Sequence, residues 1–81
     1  MGKRASVAGE KAKLQAEIAL LESKITGAKK TMGLSIFDAL SVGDQSEVNR
    51  VFGQSKAEVD MLQAQIKEKK DRIEVLSYQS R

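Results

Sequence analysis

The stretch GLSIFDALSVGD, residues 33–44, decides how the chain is folded, because its two glycines bracket the place where a helical seam must stop and turn. Gly33 and Gly43 belong to the residue type that ends helices and accepts positive φ. Between them Leu34, Phe37 and Leu40 recur at helical spacing, which predicts a short helix of about two turns joined to its neighbours by tight bends. Asp44 followed by Glu47 is a capping-box-like start for the next helix, with both side chains able to serve free backbone donors.

On either side of this stretch runs a heptad seam. Before it the apolar positions step by four and three through Val7, Leu14, Ile18, Leu21, Ile25, Ala28 and Met32, with Lys11 the single polar member. After it the same spacing links Val48, Phe52, Val59, Leu62, Ile66, Ile73 and Leu76, interrupted by Ser55 and Lys69. Alternating three-four spacing marks helices that pack on one narrow stripe. The expected organisation is therefore a flexible basic tail over 1–6, a long helix over 7–32, the short helix and glycine turns over 33–44, and a second long helix over 45–79. The fold class is all-α, an antiparallel, coiled-coil-like helical hairpin. Residues 36–52 resemble one helix-turn-helix of an ankyrin repeat. They lack the threonine-proline signature and have no second copy, so the resemblance implies nothing further.

A parallel dimer through the first helix would set Glu17 against Glu22 and Lys24 against Lys29, both repulsive. A hairpin in which facing core residues have numbers summing to 80 avoids this. It layers Val7 on Ile73, Lys11 on Lys69, Leu14 on Ile66, Ile18 on Leu62, Leu21 on Val59, Ile25 on Ser55, Ala28 on Phe52 and Met32 on Val48. The two seam lysines then share a layer from which both can snorkel to water. Along the flanks Glu10 approaches Arg72, Lys24 approaches Glu58, Glu22 approaches Lys56, and Glu17 faces neutral Gln65. In this arrangement the short helix caps Met32, Val48 and Phe52.

Composition narrows the function. The 81 residues contain no Cys, no His and no Pro, 4% are aromatic and 31% are charged, with a formal net charge of +3. Without His or Cys the commonest general base, the thiolate nucleophile and nearly every structural zinc arrangement are missing. The numerous carboxylates are intermixed with bases on helix flanks, so no catalytic, cofactor-binding or metal-binding residues are assigned and no cofactor is expected. The absence of Cys gives no sign of an oxidising compartment, and no apolar run reaches the roughly 20 residues that span a bilayer. The expected location is intracellular, in the cytoplasm or soluble in an organelle, with attachment to a membrane surface as an alternative.

Three basic segments have functional readings. GAKKTMG, residues 27–33, lacks the glycine spacing and preceding strand of a phosphate loop, and Lys29 and Lys30 are read as favourable charges near a helix C-terminus. KEKKDR, residues 67–72, is diluted by Glu68 and Asp71 and lacks stacking aromatics, so a nucleic-acid accessory is the weakest reading. The opening MGKRASV combines Gly2 and Ser6 at the spacing of a myristoylation signal with bases placed as in a kinase substrate. That supports an alternative in which an acylated, basic N-terminus holds a membrane and phosphorylation of Ser6 releases it.

The favoured expectation is a non-enzymatic interaction or assembly module that binds a protein partner or itself, as a small subunit or scaffold of a larger complex. Two helices cannot cover each other fully, and a hairpin of this size is marginal alone. Ala5, Ala8, Ala12, Ala16 and Ala19 form a second stripe of small residues beside the main seam, adjoined by Leu20. The partner-binding face is assigned to Ala12, Ala16, Ala19 and Leu20, with Ile36, Phe37 and Val42 at the tip.

Overall fold

In a computed structural model, the backbone is described for residues 3–79 and the side chains for residues 7–79. Two helices pack against each other antiparallel: α1, Lys3–Ser41, and α2, Gln45–Gln79. Neither is interrupted by proline, and both are rich in Ala, Leu, Glu, Gln and Lys, the residues that lose least on becoming helical. The hairpin is a rod of 62 × 14 × 12 Å.

The core is the heptad stripe between the helices. Ile18, Leu21, Leu62 and Ile66 are buried at its centre, with Ile25 and Ile73 packed against them. Leu76 and Ala39 are buried toward the two ends of the rod. Leu14, Ala28, Met32, Val48 and Val59 are half-buried along the same stripe. Phe52 departs from the expected core. It is 49% exposed, while Val51 and Ser55 are half-buried on that stretch of α2.

The expected short helix over 33–44 does not exist as a separate element. α1 continues through Gly33 to Ser41, and the inner stripe continues with it through Ser35, Ile36 and the buried Ala39. The reason is packing: an α2 that starts at Gln45 offers Val48 and Val51 over its first turns, and an unbroken α1 covers them. A mid-helix glycine costs only about 1 kcal/mol relative to alanine, which tertiary packing readily overrides. Lys29 and Lys30 consequently lie in the middle of α1 rather than near its end. The tail expected over 1–6 is also helical in backbone from Lys3 onward.

The true turn is Val42-Gly43-Asp44. Gly43 has φ of 72°, a left-handed conformation that only glycine adopts without strain. Its N–H donates to the Leu40 carbonyl at 3.1 Å, and the Asp44 N–H donates to the Ala39 carbonyl at 2.8 Å. Those two bonds form the Schellman closure of α1. Asp44 simultaneously opens α2, its Oδ1 accepting the Glu47 N–H at 3.0 Å. Glu47 does not complete the capping box, because the Asp44 N–H is already taken by Ala39. Its carboxylate instead forms a two-pronged ion pair with Arg50. The hydrogen bonds from Arg50 hold the Glu47 carboxyl below its ordinary value and raise the Arg50 guanidinium. A lowered carboxyl stabilises the fold above its unfolded pKa, and that contribution disappears as the pH falls through the folded value.

One residue thus closes one helix and starts the next. Replacing Asp44 with alanine is expected to cost about 1 kcal/mol, the usual worth of an N-cap oxygen, read as a lower urea midpoint at unchanged slope. An unchanged midpoint would show that the cap bond contributes nothing.

The register also differs from the one expected. Arg72 donates to Glu10 at 3.2 Å, as anticipated, but Lys69 donates to Glu17 at 3.4 Å instead of sharing a layer with Lys11. Glu10 with Arg72 sums to 82, as the expected flank contact does, whereas Glu17 with Lys69 sums to 86 where its expected neighbour Gln65 would give 82. Moving the turn from the middle of 33–44 to Gly43 lengthens α1 and slides α2 by about one helical turn. Glu17 therefore meets a lysine rather than Gln65. Lys56 pairs with Asp60 on its own helix at 2.7 Å rather than with Glu22, and no ion pair joins Lys24 to Glu58 among the described residues.

Candidate interaction surface

Continuing α1 past Gly33 changes what its last two turns present. Met32, Ile36 and Ala39 face α2, and Leu34 lies two residues, about 200°, from both Met32 and Ile36. Leu34 and Phe37 consequently project from the side of α1 opposite α2, each 70% exposed, with Leu40 beside them and Val42 79% exposed at the turn. These side chains do not cap Met32, Val48 and Phe52 as their spacing suggested. Among the described residues, Leu34, Phe37, Leu40 and Val42 are large apolar side chains left exposed close together near the turn.

Toward the N-terminal end the same outer face is built from small residues. Ala8, Ala12, Ala16 and Ala19 are exposed at three-and-four spacing, with Leu20 exposed alongside. Between the alanines and the tip lie Ser23, Thr26 and Lys30. The Thr26 hydroxyl donates to the Glu22 carbonyl at 3.2 Å and the Ser41 hydroxyl to the Phe37 carbonyl at 2.8 Å. Both hydroxyls are turned back onto the helix. The outer side of α1, left open by α2, is apolar at its alanines and at Leu34 and Phe37, with Ser23 and Lys30 between them.

The assigned face residues fall into two groups. Ala12, Ala16, Ala19, Leu20, Phe37 and Val42 are exposed, and all but the turn residue Val42 lie on or beside the outer face of α1. Ile36 is half-buried, at a position turned toward α2. Leu34 and Leu40 belong to the surface but were assigned to a cap. The inner spacing 28, 32, 35, 39 could have placed Leu34, since it leaves 34 and 37 on the opposite side; Leu40 lies on the flank between. Of the two modification candidates, Gly2 lies outside the described residues, as does the side chain of Ser6.

Glu10, Glu17, Glu47, Asp60 and Asp71 are each ion-paired with a base. A groove between the helices is lined by two carboxylates, Glu22 and Asp71, together with Ile25, Ile66, Lys67 and Lys70, and is open to solvent. Both carboxylates are exposed and Asp71 is paired with Lys67, so the groove does not enclose them in the apolar setting that splits pKa values. Within the basic run over 67–72, Lys67 holds Asp71 at 3.0 Å, Lys69 holds Glu17 and Arg72 holds Glu10. Lys70 of the same run is in none of these pairs. Among the described residues no group of three or more His, Cys, Asp or Glu side chains could hold a metal ion, and no helix is long and apolar enough to cross a membrane. Comparison with family models, with curated proteins and with solved structures finds no match to the chain.

Proposed function

We propose that the protein is a non-enzymatic helical-hairpin module that assembles through the outer face of α1, as a small subunit or scaffold of a larger particle. The observation that carries this reading is the exposure of Leu34 and Phe37 on the side of α1 away from α2, with Leu40 exposed on the flank beside them. Burying a leucine or phenylalanine side chain is worth roughly 1.5–3 kcal/mol. Three such side chains close together give a partner enough apolar surface for specific docking. Lys67, Lys69 and Arg72 of the basic run are engaged in ion pairs within the chain, which agrees with a role in assembly.

The test is the size of the native particle in extracts of its own cells, compared with that of a Phe37→Glu variant. The wild-type chain is expected to run well above its monomer mass of 8.9 kDa. Phe37→Glu is expected to run at or near that mass, with unchanged helix content, because the substitution places a charge on the docking face and touches no core residue. A wild-type chain that runs at 8.9 kDa in the extract would overturn the reading.

A further inference from the structure

Resting on that reading, we infer that the partner on the outer face of α1 is a second copy of this chain, packed antiparallel so that Leu34, Phe37 and Leu40 of each copy cover Ala12, Ala16 and Ala19 of the other. The chain exposes 6045 Å², whereas a compact monomer of its mass exposes about 4,800 Å², an excess spread over the whole 62 × 14 × 12 Å rod that a neighbour alongside it would reduce.

The charges flanking the outer face select both orientation and register. A parallel pair would place Lys30 on the copy's Lys30 within the seam. A two-fold antiparallel pair instead sets each flank against the same flank of the copy. Glu22 and Lys29 share one flank, and Lys13 and Asp38 share the other. Numbers in both opposite-charge combinations, Glu22 with Lys29 and Lys13 with Asp38, sum to 51. A single register therefore makes both pairs, each twice. None of the four side chains has an ion pair within the chain among the described residues. All four residues are exposed.

The same register matches size to size. Leu40 falls on Ala12, Phe37 between Ala12 and Ala16, Leu34 between Ala16 and Ala19, and Gly33 on Ala19. Thr26 lies next to the two-fold axis and meets its own copy. The product is four helices in a row, the two α1 helices inside and the α2 helices outside. Opposite charges along the edges and large residues over small ones are the devices that fix register in antiparallel helix pairs.

Because the chain has no cysteine, Thr26→Cys introduces a single thiol next to the axis. Under mild oxidation of the purified full-length chain it is expected to form a disulfide-linked dimer, whereas Ala64→Cys, exposed on α2, is not. Sedimentation equilibrium of the purified wild-type chain is expected to give twice 8.9 kDa. Glu22→Lys is expected to weaken the dimer, and adding Lys29→Glu to restore it, with far-UV circular dichroism unchanged throughout. A purified chain at 8.9 kDa would overturn self-pairing. If the particle in extracts were still large, the docking reading would stand and its partner would be another protein. A dimer linked as readily through Ala64→Cys as through Thr26→Cys, or one that the double charge exchange fails to restore, would overturn this register.

Discussion

Leu34→Pro is expected to destabilise the hairpin by about 3 kcal/mol or more relative to Leu34→Ala, measured by urea or thermal unfolding. Both variants remove the same exposed side chain, so burial and docking drop out of the comparison. What remains is the backbone. In an unbroken α1, residue 34 is interior: its N–H belongs to the helical ladder and a proline ring there collides with the carbonyl of Lys30. Were Gly33 the end of a helix, residue 34 would be the first position of the next one, where proline is among the favoured residues. Equal stability of the two variants would mean that the chain breaks at Gly33, and the outer face built from Leu34 and Phe37 would go with it.

Leu62→Ala is expected to cost 2–5 kcal/mol, the range for truncating a buried leucine. Leu62 is 5% exposed and packs with Ile18, Leu21 and Ile66. In a rod only two helices thick, no second layer of core collapses into the void. Since small domains are held by only a few kcal/mol, most of the helix content is expected to be lost at room temperature, as followed by circular dichroism. Met61→Ala, one residue away but more than half exposed, serves as the control and is expected to change little. Similar losses at both positions would place the seam elsewhere.

How much of this was legible depends on the segment. The two-helix hairpin could be read because the seams through Val7–Met32 and Val48–Leu76 are long, regular and dominated by branched apolar residues. The start of α2 could be read because Asp44 is a strong capping residue placed before a periodic run. The end of α1 could not be read in the same way. The inner stripe continues through Ser35 and Ala39, which carry little apolar signal, while Leu34, Phe37 and Leu40 imitate the buried face of a separate helix. A glycine at the start of that imitation completed the misreading. Only the three-dimensional requirement that α2 be covered along Val48 and Val51 distinguishes the two solutions.

The register error has the same root. Placing Lys11 opposite Lys69 was a local argument about two lysines. Placing Glu17 opposite Lys69 follows from the position of the turn, which the left-handed conformation of Gly43 sets. The exposed outer face of α1 is legible in part, through Ala12, Ala16, Ala19, Leu20 and Phe37. Leu34 and Leu40, which neighbour Phe37 there, come into view only when α1 runs straight through Gly33.

The most direct test of the outer face as the working surface is the labelling rate of a single thiol at Ser23→Cys, midway between the alanines and the tip, on an otherwise cysteine-free chain. In the native particle the thiol is expected to react with maleimide several times more slowly than in the Phe37→Glu background, because a docked partner covers it. Equal rates in the two backgrounds would contradict a covered outer face, whoever the partner is.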